Sequence, residues 1–430
     1  MKNSLLFLVL LLTSFSLSAQ IPVPAKAQSQ TIAIRNVTLH DGNGQMLTNA
    51  AVVFADGKIT FVGKDADLDT KDAQVIDGTG KHLYPGLILT NTILGLEEIG
   101  AVAATQDQAE TGSFNPEVRS IVAYNTDSQL IPTTRTNGIL LAQVVPEGGL
   151  VSGTSAVVQL DAWNWEDAAV RPEEGIHFRF PQKVLPPRWW MNETEARPNP
   201  QYKAQLQAFT DALQAGKAYV NAPTTPANLK LAAMKGLYDG TRTAYLHVDY
   251  AEGIVAGVQL LQKEGAQKIV LIGGAEAFYV KDFLVANKIP IILRNVHSLP
   301  YRDDEPVDQP YSLPKLLTEA GLTVALGYEG VSNARNLPFF AGTTVTHGLD
   351  KETALQLITK NPAIILGIAE RFGTIDVGKS ATLLLTSGDL LDMRESQVEQ
   401  AFIDGRALDL DNKHHQLYRR FQQKYTKPTE

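Results

Sequence analysis

The 430-residue chain contains no cysteine. Disulfides, thiolate metal sites, a cysteine nucleophile and a cysteine-anchored lipid are all excluded by that one absence. It also lacks a dense basic stretch before the short tail around Lys413 to Lys427. Lys and Arg total 38 against 46 Asp and Glu, a formal net charge of −8, which argues against a phosphate-binding nucleic-acid surface. No Gly-x-Gly-x-x-Gly or Walker pattern is present to aim backbone amides at phosphates, since the paired glycines Gly148-Gly149 and Gly273-Gly274 stand alone. No Gly-x-Ser-x-Gly elbow supports a serine nucleophile either. Long apolar runs are missing too. The longest, residues 5–12, is too short to span about 30 Å of hydrocarbon as a helix.

That run has another reading. Lys2 supplies a positive start, residues 5–12 an apolar core, and Ser16-Leu17-Ser18-Ala19 small residues for cleavage. Residues 1–19 are therefore expected to be a signal peptide, which places the mature chain in the periplasm or outside the cell, with no membrane attachment after cleavage. Residues 20–30, rich in Pro, Ala and Gln, read as a linker.

Hydrophobic residues make up 44% of the chain and charged residues 20%, with 33 Gly and 22 Pro, a balance that suits a loop-rich globular enzyme-like protein. Residues 31–84 run in short β-rich pieces broken by Asp41-Gly42, Asp56-Gly57 and Asp77-Gly78, and Asp-Gly after an alternating run signals a hairpin. The same texture returns in residues 373–412, so both ends are expected to build one small β-sandwich domain. Between them, residues 85–372 alternate apolar strands with helices whose apolar residues recur every three or four positions. Strands are expected at 87–89, 138–144, 156–160, 243–248, 268–272, 289–293 and 323–326. A strand count near eight over that length predicts a closed, parallel (β/α)₈ barrel of the TIM type. Residues 413–430 read as a basic surface tail.

Asn36-Val-Thr-Leu-His-Asp-Gly, Asp56-Gly-Lys-Ile, Ile76-Asp-Gly-Thr-Gly and Pro85-Gly-Leu-Ile resemble the opening segments of amidohydrolase-superfamily proteins, especially imidazolonepropionase-like ones. Asn361-Pro-Ala-Ile-Ile-Leu-Gly367, Gly373-Thr-Ile-Asp-Val-Gly-Lys379-Ser-Ala381 and Ala401-Phe-Ile-Asp-Gly-Arg406 resemble the closing ones. The resemblance implies a metal-dependent barrel hydrolase acting on carbon–nitrogen bonds other than peptide bonds, or on small peptide-like ones. One or two divalent metals at the C-terminal ends of its strands would activate a water. The ligand pattern is degenerate here. Where the resemblance implies His-x-His, the chain has Asn91-Thr92-Ile93, and Ile93 cannot bind a metal. The sixth-strand histidine position reads Ile272-Gly273-Gly274, and no bridging lysine is identifiable.

The candidates left are few. His247 falls at the fifth-strand ligand position and is expected as a catalytic residue and, if one divalent metal (zinc or another) is held, as its ligand. Glu329, after the last strand, is the expected catalytic carboxylate. Asn91, His297, Asn333 and Arg335 are expected substrate contacts, Arg335 as a carboxylate fork. Some have a plainer alternative: His247 a hydrogen-bonded remnant, His297 a loop-packing ring, Arg335 and the nearby Asn336 ties for the loop. Glu97, Glu98 and Glu110 could offer oxygens to a hard cation or form a solvated face. Trp163, Trp165, Trp189 and Trp190 could floor a pocket or pack in the core. Two functions stay open: a hydrolase with a reduced or atypical metal site, and a non-catalytic paralogue binding a ligand or an active partner. The expected partners are a small-molecule substrate and either a second copy or a paralogous amidohydrolase subunit.

Overall fold

The computed structural model describes residues 23–68, 72–188 and 191–425. The expected signal peptide and the Trp189–Trp190 pair lie outside them. The chain begins with β1 (Ile32–His40), β2 (Met46–Ala55), β3 (Lys58–Lys64), β4 (Gln74–Asp77) and β5 (His82–Pro85). The middle supplies β6 (Leu87–Thr92), β7 (Ile139–Val144), β8 (Val151–Gln159), β9 (Ala169–Arg179) and a short hairpin, β10 (Val184–Leu185) with β11 (Arg197–Pro198). Then follow β12 (Thr243–Val248), β13 (Ile269–Gly273), β14 (Ile291–Arg294) and β15 (Val324–Gly327). β16 (Leu383–Thr386), β17 (Val398–Ile403) and β18 (Arg406–Ala407) close the chain.

Eight strands, in the order β12-β13-β14-β15-β6-β7-β8-β9, form a closed barrel. Every residue of β6, β7 and β12 is buried, as expected of strands covered on both faces. The helices that cover them are amphipathic: Ala251–Glu264 buries Ile254, Val258 and Leu261 and stops at Gly265, whose φ of +101° is open to glycine.

The parallel expectation fails at one strand. β8 pairs antiparallel with both β7 and β9, whereas the remaining barrel pairs are parallel. Only residues 145–150 join β7 to β8, far too few for a parallel crossover, which takes a dozen residues or more. Gly148 and Gly149, with φ of +84° and +64°, make the reversal. The barrel therefore lacks the helix that an unbroken β-then-α alternation would put between these strands.

The terminal strands form one hydrogen-bonded sheet, β18-β17-β16-β5-β1-β2-β3, with β4 on β1. Both chain ends meet where β16 pairs antiparallel with β5. Their side chains share a core including Ile34, Val52, Phe54, Leu83, Leu385 and Phe402. The sandwich expected there is, in its hydrogen bonding, this single continuous sheet. The segment expected to be a linker is tied down: Gln28 bonds Gly57 and Phe54, and Ala25 donates to Asp161 at 2.9 Å. The basic tail is a helix, Lys413–Tyr425, with no buried residue. Among the described residues no helix is long and apolar enough to cross a membrane.

Candidate functional site at the barrel mouth

Side chains at the C-terminal ends of the parallel strands converge on the open rim, where barrels of this type build their sites. β9 and β12 each deliver a histidine there. Alternation along Ile176-His177-Phe178-Arg179 sends the apolar residues outward and His177 and Arg179 inward. His177 Nδ1 lies 2.8 Å from His247 Nε2, and the His177 ring stacks on Tyr245 at 4.7 Å. The outer nitrogens, His177 Nε2 and His247 Nδ1, are buried with no hydrogen-bond partner among the described residues. Burial drives both rings' pKa well below the ordinary histidine value, and the neighbouring Arg179 adds to it. Two neutral rings share one proton bridge.

Beneath them lies a buried acid. Glu174 accepts from Gln143 and Ser155, both at 3.0 Å, and from the Tyr245 hydroxyl. Burial pushes its carboxyl up to about 7 against the pull of those bonds. Gln143 in turn accepts from the Asn91 backbone at 3.1 Å.

Above the histidines stands an ion-pair network. Arg294, at the end of β14, bonds Asp249 after β12 and Glu329 after β15, the latter at 2.5 Å. Arg179 reaches the other oxygen of Glu329 at 3.4 Å. Gly273 makes room for this arrangement. A Cβ there would stand 2.5 Å from Asp249 Oδ1 and 3.2 Å from Arg294 Nε, so the ion pair fills the space a sixth-strand side chain would need. A cleft of about 460 Å³ opens beside it, with Asp249, Arg294, Glu329 and Asn295 at one end and Leu293, Leu299 and Tyr301 on its wall.

The structure thus brings His247 and Glu329 to the same rim, around Arg179 and Arg294. Asn91 is there too, 3% exposed, with φ of +54° and its Nδ2 unpartnered among the described residues. Asn333 lies at the rim as well, exposed, donating to the Tyr328 hydroxyl at 3.3 Å. Two candidates lie elsewhere. His297 turns away, bonding Thr343 at 2.6 Å and lying edge-on to Phe340, so it packs a helix rather than facing the cleft. Arg335 holds the loop to Asn137, which donates to its carbonyl at 2.7 Å, and takes no part in the ion-pair network. Glu97, Glu98 and Glu110 disperse onto Gln108, Gln129 and Thr111. Trp163 and Trp165 follow the reversed β8, which carries them to the far end of the barrel, where the neighbouring Leu160 pairs with Leu140 near the start of β7.

Sequence reasoning missed His177, Arg179, Glu174 and Arg294. No strand was expected over β9, whose start carries Pro172 and the pair Glu173-Glu174. The period-two alternation from Ile176 to Phe180 was the signal that could have found it.

A divalent metal does not fit these residues. Among the described residues no group of three or more His, Asp or Glu is placed to hold one. Two histidines fall short of three protein ligands, Ile93 is in the core at 6% exposure, and the rim carboxylates Asp249 and Glu329 are already engaged by Arg294 and Arg179.

The comparisons with known proteins agree with this architecture. An amidohydrolase from Thermotoga maritima MSB8 superposes with a TM-score of 0.77 at 24% identity, covering 88% of this chain and 99% of that one. A molinate hydrolase gives 0.56 at 15% identity over 90% and 96%. A Xaa-Pro dipeptidase with bound methionine gives 0.54 at 15% over 88% and 100%. No curated protein matches. The model of the amidohydrolase family matches residues 191–408, half of the chain, and with the closed eight-strand barrel this makes the chain a member of the amidohydrolase family.

Proposed function

We propose that this protein has exchanged the metal centre of its family for an ion-pair mouth, and that it binds a small amide-bearing, peptide-like ligand without hydrolysing it. The observation that carries this reading is the Asp249–Arg294 pair lying across Gly273, in the space of a metal-ligating side chain. A guanidinium held there repels a cation and offers N–H donors to a carbonyl or carboxylate, while Asp249 and Glu329 offer acceptors to an ammonium or amide. The mouth carries two charges of each sign, a match for a zwitterion. Leu293, Leu299 and Tyr301 line the wall for an apolar side chain. The protein would serve as a binding subunit, beside a second copy or a paralogous amidohydrolase. Its opening and closing segments support an imidazolonepropionase-like origin, and residues 1–19 support export.

A second reading is favoured by the His177–His247 contact. A neutral histidine pair beside Glu329 is what a proton-transferring hydrolase of a small C–N bond would keep.

One experiment separates them. The purified mature protein is analysed for bound metal, then titrated with a panel of dipeptides by calorimetry while hydrolysis is followed, with and without added zinc or manganese. Sub-stoichiometric metal, saturable binding and no turnover are expected. Stoichiometric metal with turnover would overturn the reading in favour of the hydrolase.

A further inference from the structure

Beside the mouth, on the other side of Arg179, lies a second cleft of about 410 Å³. Arg179 and Arg197 line it together with Gln182, Gln201 and Gln205, and among the described residues no carboxylate does. Neither guanidinium is fully committed. Arg179 reaches Ser152 Oγ at 3.3 Å and Glu329 at 3.4 Å, both long contacts. Arg197 meets Glu193 at 3.5 Å. That carboxylate is already engaged by Arg188, whose Nε and backbone N–H donate to its two oxygens at 2.8 and 3.0 Å. The Nε of Arg197 is buried without a hydrogen-bond partner among the described residues. Asn199 spends its amide on Gln182's carbonyl and Gln205 Oε1, which turns the Gln205 NH₂ donor outward from that bond.

Each guanidinium presents five N–H donors in a planar fork. Two of them in the lining of one cleft, beside three glutamine amides and with no acid among the described residues that line it, make a site short of negative charge. We propose that this cleft binds the carboxylate of a small organic ligand between Arg179 and Arg197. For the ligand's orientation the inference rests on the mouth reading: Arg179 is shared, through Glu329, with the cleft that would take the amide end. The anion site itself stands on its own residues. A carboxylate arriving at Arg179 competes with Glu329 for that guanidinium, so filling this cleft loosens the ion-pair network of the mouth.

The test uses glutarate, which has no amide or ammonium group, with its neutral diamide as control. Failure of the mouth reading therefore leaves the measurement intact. Calorimetry of the full-length mature protein at constant ionic strength is expected to show binding of glutarate and none of glutaramide. R197Q should weaken glutarate binding by about tenfold or more, the loss of a charge-assisted hydrogen-bond pair. R197K should recover part of it, since charge remains but the fork does not. Q205E, which places a carboxylate in the cleft, should abolish it, and serves as the second variant if R197Q does not fold. Equal affinity for glutarate in wild type and R197Q overturns the proposal, as does no binding of glutarate at all. Tighter binding of inorganic phosphate than of glutarate overturns the carboxylate assignment.

Discussion

At the scale of single residues, the titrating groups inside the barrel work against one another. His177 and His247 are neutral in the folded protein because burial opposes their charge. The unfolded chain protonates both below pH about 6.5, so they draw stability away as pH falls through that value. Glu174, pushed up to about 7 when folded, keeps its proton where the unfolded chain has lost it. Its contribution is fully present below the ordinary glutamate value and disappears as pH rises to about 7. Per proton the linkage is about 1.4 kcal/mol per pH unit. Between pH 7.5 and 5.5 E174Q should lose ~2 kcal/mol more unfolding free energy than the wild type, because in the wild type Glu174 offsets the histidines. Urea unfolding at the two pH values checks this, and equal losses would show that Glu174 is not protonated in the folded state. None of this was legible in the sequence beyond His247. Glu174 sits beside Glu173 and Pro172, a stretch with the look of a solvated loop, and only tertiary closure buries it.

At the scale of elements, β9 is the strand on which the site depends. It brings His177 and Arg179 to the rim and Glu174 to the floor beneath, and it lies against β12 with Gly175 paired to Thr243. A Cβ at Gly175 would meet the Tyr245 ring at 2.4 Å and the Thr243 carbonyl at 2.7 Å. The carbonyl is backbone and cannot move aside without parting the strands. Gly175→Ala should therefore cost about 1–3 kcal/mol, the range of overpacked cores, and should disturb the Tyr245–Glu174 bond. Denaturant midpoints, with near-ultraviolet circular dichroism for the tyrosine environment, would read this, and an unchanged midpoint would contradict it. Most other barrel strands were visible in advance, since each is a short run of buried Val, Ile and Leu between turn residues. β9 was hidden because its first half is polar, and β8 was found but assigned the wrong direction. Composition reports burial well and polarity of pairing hardly at all. The length of the loop at 145–150 was the available clue.

At the scale of the whole molecule, the two ends of the chain are one structural unit. β5 and β16 pair across about 300 residues of sequence, as Leu83 with Leu385. Asp161, at the closed end of the barrel, accepts from Arg135, from Arg406 at 2.7 Å and from the Ala25 backbone, joining barrel, final hairpin and leading segment. Ending the chain after Phe372 would strip β16, β17 and β18 from the sheet and bare Leu83 and Phe54. That form should be insoluble or lack a cooperative transition. Ending it after Asn412 removes, among the described residues, only a helix with no buried residue, and the melting temperature should stay within about 2 °C of the full chain. Expression of both forms and thermal melts decide the matter. The likeness of the two ends was readable from their shared Asp-Gly hairpins, while the charged junction at Asp161 was not, because its partners lie far apart in the chain.

The reversed strand has a consequence for how such a barrel assembles. β7, β8 and β9 contact through neighbours close in sequence, Val144 opposite Ala156 and Val158 opposite Ala169, whereas every parallel pair must wait for a long connection to close. Loop closure costs least for short separations. The three-strand meander is thus the cheapest part of the cylinder to form, a ready-made seed on which the parallel strands can be laid down, and its last strand is the one that holds His177 and Arg179.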